Sequence, residues 1–202
     1  LDQIAIQDGP KAAFQCLKAW IGTNGVTLLR ERRRTCVQAL PANEWMLVVD
    51  LQFEAAGEDV TFGQTPFGLF AVRMAKSIGV RDGGGTIRNS EGGVNEAGVF
   101  RKPARWMDYS GPVAPGVTNG ITLLDHPANP NHPTVFHVRD DGWMGSCLTY
   151  DAPRTVAKGT PLRLRYALYV HDGAPAADAL ERCWQNFSRT TLIDFAENAK
   201  KR

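Results

Sequence analysis

No stretch of this chain approaches the ~18 consecutive apolar residues that would span a bilayer, and the longest apolar segment is "WMLVV". A membrane-spanning helix is therefore not expected. Neither charge sign is in large excess: 23 basic side chains face 21 acidic ones, for a net charge of +2. A nucleic-acid footprint needs a clustered surplus of Lys and Arg, so that class is set aside. The densest basic run is Arg30, Arg32, Arg33 and Arg34, which Glu31 interrupts, and it reads as the solvated face of a strand. Cysteine is scarce and scattered: Cys16, Cys36, Cys147 and Cys183 form no CxxC pair, which leaves zinc-ribbon chemistry unsupported. Free thiols in the interior are expected rather than bridges. Also missing are an HExxH pair, a GxSxG nucleophile frame ("DYSGP" does not supply it) and a strand-to-helix phosphate loop around "DGGGTIRNSEGG". The chain starts at Leu1 without a charged-then-apolar signal segment, so the compartment stays open.

What is present alternates. In "EWMLVVDLQFEA", Trp45, Leu47, Val49, Leu51 and Phe53 fall on one face, with Met46, Val48, Asp50, Gln52 and Glu54 on the other. A strict period of two predicts a strand with one buried face. "PLRLRYALYVHDG" repeats the pattern: Leu162, Leu164, Tyr166, Leu168 and Val170 point inward, and Arg163, Arg165, Tyr169 and His171 the other way. "VTLLRERRRTCV", "FGLFAVRMAKSI", "ARWMDYS", "GITLLDH" and "TVFHVRD" also read as strands. Gly-rich turns separate them, and amphipathic helices do not recur between them. These features predict an all-β, antiparallel β-sandwich or barrel. One helix is expected near the end, in "APAADALERCWQNFSR", where Ala176, Leu180, Cys183, Trp184 and Phe187 keep steps of three and four. Without repeats or low-complexity linkers, residues 1–202 read as one domain.

Chemistry concentrates in "ITLLDHPANPNHPTVFHVRDDGW", where His126, His132 and His137 lie within twelve positions. Their spacing matches no tight metal signature, and no metal ligand or other cofactor is assigned. Three readings stand: donors to the carbonyls of a Pro-Asn-Pro turn, an acid/base or sugar site, or a metal cage. For the second, His132, His137, Asp108 and Asp125 are the candidate catalytic groups. His126, Arg73, Arg139, Arg105, Trp106 and Tyr109 are the candidate substrate contacts. An aromatic ring beside a carboxylate grips a sugar by stacking and hydrogen bonding, which nominates Trp106, Asp108 and Tyr109. Arg73, in an apolar run, needs a partner if buried, and Asp108 could serve. In "RWMDYSG", alternation puts Arg105 and Tyr109 on one face with Met107, and Trp106 and Asp108 on the other. The acid/base reading requires the scaffold to gather these groups into one hollow.

"WMDYSGP" followed by "GITLLDHPANPNHPTVFHVRDDGW", together with "TFGQTPFGLFAVRMA" and "GTIRNSEGG", resembles a bacterial family labelled methane oxygenase PmoA-like, over about Glu44 to Tyr169. The resemblance implies a β-sandwich similar to galactose mutarotase-like folds, in a setting of polysaccharide degradation. The membrane methane monooxygenase subunit itself is a helical bundle and is not what the resemblance implies. It also implies an additional N-terminal portion, with a His-His-Arg-type motif that nothing in these residues matches. Two functions follow as expectations. One is a carbohydrate isomerase, hydrolase or lyase. The other is a non-catalytic glycan-binding module with Trp106 and Tyr109 as its platform. A metal-dependent oxygenase is a third. The expected partner is a small molecule or glycan.

Overall fold

The computed structural model describes residues 3–7 and 11–191. Fourteen strands are arranged, among the described residues, as one large antiparallel sheet, one small antiparallel sheet and a two-stranded ribbon. The large sheet holds, in spatial order, β1 (Gln3–Gln7), β2 (Lys11–Ile21), β3 (Thr27–Ala39), β4 (Trp45–Ala55), β14 (Leu162–Asp172), β10 (Val117–Asp125), β9 (Trp106–Ala114) and β7 (Thr86–Asn89). The small sheet runs β6 (Phe70–Arg73), β12 (Trp143–Cys147), β11 (Val135–Val138) and β8 (Lys102–Pro103). The ribbon pairs β5 (Val60–Phe62) with β13 (Arg154–Val156).

The period-two pattern decides which side chains enter the core. Val49, Leu51 and Phe53 of β4, Leu164 and Tyr166 of β14, Leu123 of β10, and Met107 and Tyr109 of β9 meet Phe136, Val138 and Met144 of the small sheet. Phe70 of β6 stacks on Tyr166 across this layer, with ring centroids 4.9 Å apart. The sheets thus pack face to face around one apolar layer, as a β-sandwich does. β1 to β3 carry the large sheet further out, where Lys18, Trp20, Ile21, Leu28, Glu31 and Arg33 line an open cleft of about 450 Å³. The Glu31 carboxylate there accepts from Trp20 Nε1 (2.8 Å) and Arg33 Nε (2.8 Å).

The C-terminal helix forms as its spacing predicts. It is α3 (Ala177–Ser188), following the short α1 (Val80–Gly83) and α2 (Asn95–Val99). Its Leu180 and Phe187 pack with Trp106, Leu124 and Ala167 on the outer face of the large sheet, and Met46, Val48 and Tyr169 border them. This corrects the expectation of one-sided burial. Asp50, Gln52, Arg165 and His171, read as facing away from the core, are themselves buried on that second face. Trp45, placed inward by periodicity, is exposed at the strand's start. "FGLFAVRMAKSI" is strand only over Phe70–Arg73, and a 3₁₀ turn follows at Lys76–Ile78. No described helix is long and apolar enough to cross a membrane. The four cysteines are free.

Candidate functional site

The gathering of the nominated side chains in one hollow does not occur. β-strand alternation sends them to different layers, and three separate groupings result.

The first surrounds Asp108, which is fully buried on the outer face of the large sheet. Its Oδ2 accepts from Arg88 Nη2 (2.8 Å) and Ser110 Oγ (2.7 Å). Its Oδ1 accepts from Thr122 Oγ1 (2.9 Å) and lies 2.9 Å from His171 Nε2. Cross-strand register supplies these partners, because Asp108 stands opposite Thr122 on β10 and Arg88 on β7. Burial pushes this carboxyl up, but the bond and charge of His171 and the bonds from Arg88 and Ser110 outweigh it and hold it below the usual carboxylate range. Gly120 makes room for the imidazole: a Cβ there would stand 2.5 Å from His171 Cε1. With every acceptor taken, Asp108 is a structural anchor, and Arg73 is not its partner. Arg73 is 56% exposed and lies instead beside Asp141 (3.6 Å).

Trp106 and Tyr109 form no sugar platform. Trp106 is 2% exposed beneath α3, and its Nε1 donates to Glu181 Oε2 (2.9 Å). Tyr109 is 0% exposed between the sheets; its hydroxyl accepts from Val80 N and donates to Asp140 O. Arg105 does not share Tyr109's face. It precedes the strand and reaches Glu91 (3.1 Å) and Glu181 (3.3 Å), with its guanidinium over Trp184.

The second grouping forms where β10 leaves the large sheet, and it unites two nominated residues. Asp125 Oδ2 lies 2.7 Å from His132 Nδ1 and accepts from Thr134 N; Oδ1 accepts from Asn129 Nδ2. The carboxylate fixes the proton on Nδ1, which leaves Nε2 as the lone-pair nitrogen. Nε2 has no protein partner among the described residues, and the side chain is 15% exposed. The ring stacks on Trp184 of α3 at 5.9 Å. His126, the next residue along, is spent on structure: Nδ1 accepts from Ala128 N, and Nε2 donates to Thr190 O (2.8 Å). Burial pushes its pKa below the ordinary imidazole value.

The third grouping occupies the outer face of the small sheet. Because Phe136 and Val138 enter the core, His137 and Arg139 point away from it. The β11–β12 register sets His137 opposite Gly145, and the β12–β6 register sets Trp143 opposite Arg73 and Gly145 opposite Ala71. The Arg73 guanidinium lies 5.3 Å from the Trp143 ring, and Arg139 and Arg101 lie 5.4 and 4.9 Å from Phe100. Phe67, 57% exposed, stacks on His137 at 5.0 Å, and Phe100 meets the same imidazole edge-on. His137 Nδ1 donates to Pro66 O (3.0 Å), so its Nε2 is the unprotonated nitrogen. Burial, with Arg139 and Arg101 nearby, lowers this imidazole's pKa too, so it is neutral at pH 7. Cys147 Sγ donates to the same carbonyl, and burial raises its pKa to about 11, so it is a thiol and no ready nucleophile.

Sequence reading passed over Phe67, Phe100, Arg101, Trp143, Arg88 and the bonding role of His171. Trp143 carried a usable signal. "RDDGW" is a hairpin turn with Gly142 at φ 93°, which sets Trp143 across from Arg139. Among the described residues no three His, Cys, Asp or Glu side chains converge as a metal cage.

A comparison with curated proteins finds no match. The model of one protein family does match, over residues 3–185. That span takes in both sheets and most of α3, and so all three groupings. The chain belongs to that family, described as "Family of unknown function (DUF6807)".

Proposed function

We propose that this chain is a carbohydrate-active protein that binds a sugar-type ligand on the outer face of the small sheet. One observation carries the reading: Arg73 and Arg139, nominated as substrate contacts, and His137, nominated as catalytic, share that face with the exposed ring of Phe67 and with Trp143 and Phe100. An exposed ring takes the apolar face of a pyranose while guanidinium groups bond its hydroxyls, and the His137 imidazole, 6% exposed, backs the Phe67 ring by stacking. The resemblance to the PmoA-like family, with its mutarotase-like fold and polysaccharide setting, supports the same direction. The test is titration calorimetry against a broad glycan panel, with Phe67→Ala and Arg73→Ala. Both side chains are more than half exposed, so the variants should fold as the parent does and bind about tenfold more weakly. Silence across the whole panel would sink the proposal.

A second reading rests on the 2.7 Å contact between His132 and Asp125. A carboxylate that orients an imidazole and leaves Nε2 open is the arrangement of a general base, suited to an isomerase, hydrolase or lyase. His132 also tethers its loop, so activity alone does not decide its role. Expected for catalysis is loss of turnover in His132→Gln with unaltered unfolding. Unchanged turnover in that variant would count against it.

A further inference from the structure

We infer that the ligand of the small-sheet face is an acidic saccharide, one whose sugar units carry carboxylates. This inference rests on the sugar-binding proposal and narrows it. Three guanidinium groups sit on that face, and two have carboxylates of their own: Arg73 lies 3.6 Å from Asp141, and Arg139 Nε lies 2.9 Å from Glu96 Oε1. Arg101 forms no ion pair among the described residues, and it is exposed. The chain holds it there at a conformational cost. Its φ is +56°, left-handed backbone that a residue with a Cβ adopts rarely, and its N–H donates to Phe136 O (2.9 Å). The guanidinium is then laid 4.9 Å from the Phe100 ring, which meets the His137 imidazole edge-on, and Phe67 stacks on that same imidazole. Glu96 is paired with Arg139, Asp141 lies beside Arg73, and the Asp140 carboxylate accepts from Glu96 N, so among the described residues Arg101 is the guanidinium of this face without a carboxylate partner.

A neutral sugar would use the aromatic ring and leave that charge unanswered. A uronate answers it, because its carboxylate accepts two parallel N–H bonds from a guanidinium while the pyranose ring stacks. The floor suits a flat ring: Gly145 and Ala71 are small, and a Cβ on Gly145 would stand 3.0 Å from that of Ala71. The indole N–H of Trp143, 3.4 Å from the same point, is buried without an acceptor and could be satisfied by an oxygen seated there.

The test measures binding of galacturonate, glucuronate and mannuronate oligomers, of neutral galactose and glucose oligomers, and of poly-glutamate, to wild type, Arg101→Gly and Arg101→Lys. Glycine takes φ +56° freely, so Arg101→Gly removes the charge without straining the turn, and its thermal unfolding should match wild type. Expected is binding of at least one uronate series about tenfold tighter than any neutral one, lost in the glycine variant and partly restored by lysine. Equal affinity for neutral and acidic sugars overturns the inference and leaves the sugar reading standing. Binding of neither class overturns both. Poly-glutamate binding as tightly as the uronates points to an acidic peptide and overturns it as well.

Discussion

Single residues show what burial does to charge. Asp108 is anionic inside the protein because Arg88, Ser110, Thr122 and His171 surround it. Asp108→Asn removes the countercharge from Arg88 and should lower unfolding free energy by about 3 kcal/mol in urea titrations, the low end for a broken buried pair because Arg88 keeps some water. A change within experimental error would show that the network contributes little. His126 and His137 are the opposite case, since burial opposes their charge and lowers their pKa values below the ordinary 6.5. As pH falls below that value the unfolded chain takes up protons before the folded one does. Stability is therefore full above about pH 6.5 and declines as pH drops through the lowered pKa values. Urea midpoints at about pH 7.5 and about pH 5 should differ in wild type, and the difference should shrink in the His126→Gln/His137→Gln double variant.

At the scale of elements, α3 decides the character of the large sheet's outer face. Alternation in β4 and β14 describes a strand wet on one side. The helix then lays Leu180 and Phe187 over Trp106, Leu124 and Ala167 and buries the polar rows that flank them. These rows tolerate burial because they bond across strands, as Arg165 Nη1 does to Asp50 Oδ1 (3.0 Å). Leu180→Ala should cost about 2–5 kcal/mol in chemical denaturation. It should also raise the indole exposure of Trp106 and Trp184 in fluorescence. A loss well under 1 kcal/mol would mean that α3 is only loosely docked. The helix was legible beforehand from its steps of three and four. Its docking site was not, since an apolar stripe states only that something must cover it.

For the whole molecule, the sandwich separates side chains that lie close along the chain. His132 and His137 are five residues apart, yet one tethers a loop at the end of β10 and the other faces out from the small sheet. The segments of β3, β4, β6, β9, β10, β11 and β14 were readable, while β2 and the short strands β5, β7, β8, β12 and β13 were not; the division of β9 into a Met107/Tyr109 face and a Trp106/Asp108 face was readable too. The Asp125–His132 contact lay within one local segment. Phe67, Phe100 and Arg101 were illegible because each comes from a loop whose path is set by tertiary contacts, as where Pro66 O takes hydrogen bonds from His137 and Cys147. The small-sheet face is the place where long-separated segments meet, and both binding proposals stand on it.

Sequence period was enough for the class of fold, the longer strands β3, β4, β9, β10 and β14, the closing helix and most of the alternating faces, because side-chain period is a local property of the backbone. Tertiary structure alone decided which outward faces are covered, which carboxylates are consumed as anchors and which arginine is left without one. Those outcomes depend on which sheet lies opposite, and periodicity within a strand holds no information about that.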